Sequence, residues 1–285
     1  FFNQQESDCR NDKPNGIMWS QPDNSENNYN DPWLNFKPLD FFEFPTSWGR
    51  LKDLKSIENE QILTKFENTT ALYNTVDMTI DDGKNPEYRN LISAFARRPM
   101  LYSETDLGFG GTSSTQSVSC EFGHFHVDVK RGQVIHIPPG GKGMQEISSL
   151  ISGKPSGLRN WFKEHLPFKI LRENIQGIEN LDTDNAYNGV GITMGYDSRF
   201  RRVFITKKDY VLKPLEAGKN VEFINNDFYL TEEGEDNVKI SLNDSTYFLD
   251  VSFTVAYSPI EQRFVGWNTY TQNYYITHNN YFQTE

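Results

Sequence analysis

Cysteine is nearly absent from this chain. Two residues among 285, Cys9 and Cys120, cannot build a disulfide framework, and both are expected as free thiols. Long apolar runs are absent too: nothing approaches the roughly 18 consecutive apolar residues of a membrane-spanning helix. The opening residues, Phe1-Phe2-Asn3-Gln4-Gln5-Glu6, have neither the basic start nor the apolar stretch of a signal peptide. Positive charge is in deficit, with 28 Lys and Arg against 39 Asp and Glu and a net charge of -11. Phosphate binding needs clustered cations, so this balance argues against a dedicated nucleic-acid binder. It remains compatible with a conduit whose acidic wall repels DNA and lets it slide. Neither a G-x-S-x-G elbow nor an H-E-x-x-H motif occurs. Residue 1 is Phe rather than Met, which points to a piece of a longer polypeptide.

Aromatic residues are abundant, at 14% with 21 Phe and 14 Tyr. In a polar background they suit strands that bury large rings on one face and show polar groups on the other. Residues 1–47 are dense in Asn, Asp, Gln and Pro yet carry Trp19, Trp33, Phe36, Phe41, Phe42 and Phe44. They read as an extended arm docking its rings on a neighbouring surface, or as a loop packed on its own domain. Residues 48–285 read as the main domain. Four hairpins stand out there: Ile62–Phe66 with Thr70–Asn74, His124–Val129 with Val134–Ile137, Val190–Gly195 with Val203–Ile205, and Phe253–Tyr257 with Arg263–Trp267. Their turns centre near residues 68, 130, 198 and 260, in steps of 62, 68 and 62. Further strand-like runs lie between, such as Asn220–Phe223 and Asp227–Leu230. Gly157–Leu166, stopped by Pro167, predicts a helix with Leu158, Trp161, Phe162 and His165 on one face. Short sheets at regular spacing predict a mainly β fold, a β-propeller-like array of antiparallel hairpin blades with helical and loop insertions. A β-sandwich is the competing architecture.

Three segments invite chemistry. His124 and His126 share one strand face, and a hairpin loop of odd length would set His136 opposite His126, giving three imidazoles for zinc. A two-residue loop, Arg131-Gly132, would turn His136 to the other face. Asp182-Thr183-Asp184-Asn185-Ala186-Tyr187-Asn188-Gly189 places oxygen ligands as calcium loops do, but Thr193 stands where the bidentate Glu belongs. Arg201-Arg202 and Lys207-Lys208 flank a strand and could meet phosphates or an acidic neighbour. The glycine-rich runs Gly108–Ser114 and Pro138–Gly143 are connectors rather than phosphate loops, since Gly143 follows Lys142 where a hydroxyl is required. No carboxylate pair is singled out. No catalytic, cofactor-binding or metal-binding residue is assigned, and no enzyme activity is expected.

The stretch Glu121-Phe122-Gly123-His124-Phe125-His126-Val127-Asp128-Val129-Lys130-Arg131-Gly132-Gln133-Val134 resembles the stabilisation, or muzzle, proteins of crAss-like phages. Phe66–Asn74, Gly157–Phe168, Gly195–Tyr210 and Phe253–Trp267 resemble the same family in the same order, over roughly residues 50–276. The resemblance implies a structural virion protein of a phage tail, assembled in the bacterial host cytoplasm. It implies a ring of identical subunits below the portal, touching portal-adaptor and tail proteins and conducting DNA without sequence-specific contact. Related nozzle proteins are β-propellers, in line with the hairpin period. The alternative is a glycan-binding or glycan-cleaving propeller, with Trp19, Trp33, Trp48 and Trp267 stacking on sugars and two carboxylates doing the cleavage.

Overall fold

The four hairpins form where alternating apolar residues and polar turns place them. The computed structural model describes residues 13–20, 36, 40–57, 61–74, 95, 101–102, 110, 113–140, 143–151, 154–155, 158–278 and 281–284. The chain divides into two compact units, Phe1–Gly110 and Gly111–Glu285.

In the first unit β1 (Gly16–Met18) pairs antiparallel with β2 (Phe41–Glu43). A second sheet is an antiparallel meander of β3 (Leu51–Ile57), β4 (Gln61–Phe66), β5 (Thr70–Asn74) and β6 (Leu101–Tyr102). Its core is aromatic. Phe44 meets Phe66 edge-on at 4.8 Å and Phe42 at 4.9 Å, and stacks on Trp48 at 5.7 Å. Such pairs contribute about 0.5–1.5 kcal/mol each beyond the area they bury. Ile17, Trp19, Phe42 and Phe44, from the stretch expected as an arm, belong to this cluster of their own unit. Trp33 and Cys9 lie outside the described residues. Across β3 and β4, Lys65 is fully buried and pairs with Asp53. Burial pulls the Lys65 ammonium down to about 8, against the pull of Asp53.

The second unit begins with a meander of β7 (Ser117–Cys120), β8 (Gly123–Asp128), β9 (Gln133–Ile137) and β10 (Gln145–Glu146). The short pair β11 (Leu150–Ile151) and β12 (Lys154–Pro155) follows, then helix α1 (Leu158–His165). The predicted helical face holds: Phe162 is buried, and Leu158 and Trp161 are packed partly against the core. Gly132, at φ 64°, lets the β8–β9 turn approach α1 so closely that an added Cβ would sit 2.5 Å from Lys163 Cα.

Next come β13 (Gly191–Asp197) and β14 (Arg202–Lys208). The chain then makes an excursion through β15 (Tyr210–Leu212), β16 (Lys219–Ile224), β17 (Asp227–Glu232), β18 (Val238–Ile240) and β19 (Phe248–Asp250). It returns as β20 (Phe253–Ser258) and β21 (Arg263–Asn268), and a last hairpin joins β22 (Tyr275–His278) to β23 (Tyr281–Thr284). β15 and β19 close the neck of the excursion, while β16, β17 and β18 make a three-stranded sheet. One continuous core runs from Phe125 and Val127 through Phe162, Ile192, Val203 and Ile205 to Phe228, Phe248 and Val255.

This topology corrects the propeller expectation. The hairpins β13–β14 and β20–β21 are not successive blades. They lie side by side in one sheet of order β13-β14-β20-β21, joined by pairs such as Ile205↔Val255 and Thr206↔Thr254. The other sheets of this unit are separate antiparallel ones of two to four strands, and no sheet closes among the described residues. A period of 62–68 residues reports only that hairpins recur: its last step spans the excursion from β14 to β20, and its first two steps join separate sheets, without any rotational repeat. The muzzle or nozzle reading, with its ring enclosing a DNA channel, required the propeller and falls with it. The glycan-binding propeller falls for the same reason.

A buried ion pair ties this unit together. Lys207 Nζ donates to Asp209 Oδ2 at 2.6 Å and to the carbonyls of His165 at 2.6 Å and Pro167 at 2.9 Å. Asp209 accepts from the backbone N–H groups of Lys169 at 2.7 Å, Ile170 at 3.2 Å and Tyr210 at 3.0 Å. Replacing Asp209 by Asn leaves the Lys207 charge buried without its counter-charge. Denaturant unfolding of the full chain is expected to show a loss of about 3–5 kcal/mol. The double variant with Lys207→Met should lose less.

Lys65 gives a pH signature of opposite sense to an ordinary salt bridge. Folded, it releases its proton at about 8, and unfolded near 10.5. Between those values the unfolded state binds more protons, so stability rises with pH and is lowest below pH 8. Against a Lys65→Met control, the unfolding free energy is expected to climb by up to about 3 kcal/mol across that window. A flat difference between the two proteins would refute it.

Candidate functional site

The excursion from β14 to β20 leaves an open groove of about 460 Å³. Each part of its lining is placed by a local device. A single 3₁₀ turn, Ala186–Asn188, is capped by Asn185, whose Oδ1 accepts from the Tyr187 N–H at 3.1 Å. The β16–β17 turn sets Asn225 and Asn226 at φ 50° and 67°, left-handed values that Asn tolerates and two-residue hairpins require. After β18, Ser241 Oγ accepts from the Asn243 N–H at 3.2 Å and shapes the loop. Lys208 ends β14, Tyr210 opens β15, and Asn273 closes the rim.

The lining is polar. Lys208 Nζ donates to Asn273 Oδ1, and the Tyr210 hydroxyl to Asn243 Oδ1 at 3.2 Å. Lys239 Nζ pairs with Asp227 Oδ2 at 2.6 Å, which raises the ammonium's affinity for its proton. Burial shifts Lys208 the other way, toward release, with Asp250 partly opposing. Burial likewise raises the Tyr210 phenol. Tyr187, largely exposed, stacks on Tyr274 at 6.0 Å beside the groove. Apolar walls are confined to Ile240 and Leu242.

The residues singled out from sequence lie elsewhere or serve the fold. The loop from Asp128 to Gln133 is even in length, so His136 lies opposite Phe125 and stacks on it at 4.3 Å. His124 and His126 occupy the other strand face, and the three imidazoles do not converge. His136 Nε2 bonds the Phe122 carbonyl at 2.7 Å, and burial lowers its proton affinity. The calcium-like loop turns its oxygens inward. Asp182 Oδ1 accepts from the Asp184 N–H at 2.9 Å, and the Asp184 carbonyl accepts from Ser113 and Thr115 at 3.1 and 2.8 Å. Among the described residues no group of three His, Cys, Asp or Glu is placed to hold a metal ion.

The four basic residues around β14 do not form one face. Lys207 is buried in its ion pair and Lys208 enters the groove. Arg202 lies exposed, its guanidinium 6.0 Å from the Phe200 ring. Trp19 and Trp48 sit half-buried in the first unit's cluster. Trp267 is half exposed and meets Trp161 edge-on at 4.3 Å. Among the described residues Asp227 is the only carboxylate lining the groove, so they do not assemble there the pair required for sugar cleavage.

No family model matches the chain. No curated protein is significantly similar to it either. The muzzle resemblance is therefore without support from family comparison as well as from the topology.

Sequence reasoning missed the groove because its lining comes from residues 187–189, 208, 210, 226–227, 239–243 and 273. The only local sign is the density of Asn and Ser around turns, which ordinary loops share.

Proposed function

We propose that the second unit is a non-catalytic binding module that holds a small polar ligand in this groove. The observation that carries the reading is a concave site of about 460 Å³ whose lining is amide, hydroxyl and ammonium. That volume falls within the range of about 300–1,000 Å³ of small-molecule sites. Its polarity departs from the apolar lining usual there, so recognition rests on hydrogen bonds. Within the lining there is no His or Cys, and the one carboxylate is engaged by Lys239. Ser241 Oγ and Lys208 Nζ, a hydroxyl and an ammonium of the lining, engage the Asn243 N–H and Asn273 rather than each other, which supports binding over turnover.

The groove is also well anchored. Lys208 is the next residue along from the buried Lys207, and Tyr210 follows Asp209. The ion pair thus fixes the backbone on which two groove residues ride, and pre-organised donors lower the cost of binding.

Screening the full chain by NMR against small polar molecules, neutral and charged, tests this. Ligands are expected to shift the amide signals of Gly189, Asn226 and Ser241. Asn243→Ala should weaken them about tenfold, the equivalent of one good hydrogen bond. Chemical conversion of a bound ligand, or shifts confined to other surfaces, would overturn the reading.

A further inference from the structure

The hydrogen bonds already made inside the groove decide what is left for a ligand. An ammonium only donates, so the Asn273 atom that meets Lys208 is the amide oxygen, and Nδ2 of Asn273 remains as a donor. The Tyr210 hydroxyl engages Oδ1 of Asn243, which leaves Nδ2 of Asn243 as a second donor. Ser241 Oγ already accepts a backbone N–H, and its own hydrogen is a third. Asp227, the only carboxylate among the described lining residues, holds Lys239 through Oδ2. Two ammonium groups against one carboxylate give the lining one net positive charge, inside a chain of net charge -11. Asp250 acts on Lys208 through space but does not line the groove, and its Oδ1 accepts from the Ser252 N–H at 2.8 Å.

Asn188 and Asn226 also line the groove, each with an amide oxygen and an amide donor, so the lining's excess lies with donors, and together with its net positive charge it favours a ligand rich in acceptors. Resting on the binding reading above, we propose that the groove receives a small molecule presenting an oxyanion, a carboxylate or a phosphate, to Lys208 and Asn273. Hydrogen bonds with a charged partner are roughly twice as strong as neutral ones. Burial makes the Lys208 ammonium costly to keep charged, and an anion beside it relieves that cost.

Titration calorimetry on the full chain at low ionic strength tests this, with malonate and inorganic phosphate as anionic probes and glucose and glycerol as neutral ones. At least one anion is expected to bind ten or more times tighter than either neutral probe. Asn273→Asp keeps the side chain's size and its bond to Lys208, but it replaces the donor by an acceptor and cancels the local charge. It should weaken the anion at least tenfold without lowering the thermal midpoint, and Lys208→Met should do the same to binding. Preference for malonate assigns a carboxylate ligand, and preference for phosphate a phosphorylated one. Tighter binding of the neutral probes, or anion binding untouched by Asn273→Asp, overturns the oxyanion assignment and leaves the binding reading in place. Failure of these probes together with failure of the wider polar panel overturns both.

Discussion

The architecture of the second unit depends on placing a lysine and an aspartate inside a hydrophobic core and satisfying every bond they require. Lys207 and Asp209 lie two residues apart around the end of β14, with exposures of 1% and 0%. Desolvating two such charges costs several kcal/mol each, repaid only when the geometry is complete. Here it is complete. The ammonium collects the last carbonyls after α1, which the helix leaves without partners. The carboxylate collects the N–H groups of the next turn. A single pair thereby joins the helix, the segment that follows it and the central sheet. An apolar pair of the same volume would fill the space but would leave those backbone groups unbonded.

The alternation of a strand carries this constraint to the surface. Successive side chains point to opposite faces. Val203, Ile205 and Lys207 therefore share the core face of β14, while Phe204 and Thr206 share the other. On that second face Tyr275 covers Gly195 of the neighbouring strand, where an added Cβ would meet the ring at 2.5 Å, and the Tyr275 hydroxyl bonds Thr206. Lys208, next in line, reaches Asn273. One residue step thus separates a lysine that holds the fold from a lysine that faces the groove. Doublets such as Lys207-Lys208 resist reading from sequence for this reason: identity is the same and only the phase differs.

Local order was legible and its assembly was not. The hairpins at 62–74, 124–137, 191–208 and 253–268 follow from alternation and turn chemistry, which act over a few residues. The helix and its buried face follow from the 3.6-residue period. Sheet membership is decided by which edges meet, here β14 with β20 across 44 intervening residues, and nothing in either strand's pattern names its partner. Even hairpin spacing imitates rotational repetition, yet its last step records an excursion that leaves the sheet and returns to it, and its first two steps join separate sheets. The histidines show the same limit at smaller scale. His136 faces Phe125 or His126 according to the parity of one loop, and the turn from Val129 to Gly132, clamped by Arg131 on Asp128 at 2.9 Å, settles it.

Charge also acts on two scales. A net charge of -11 repels a polyanion along its whole length, since each phosphate that approaches meets the summed field. A small oxyanion samples only what lies within a screening length, about 8 Å at physiological ionic strength. Within that distance it meets Lys208, Lys239 and the free amide hydrogens of Asn273 and Asn243, with Asp227 already neutralised. A net charge of -11 is therefore compatible with a pocket for a single anion.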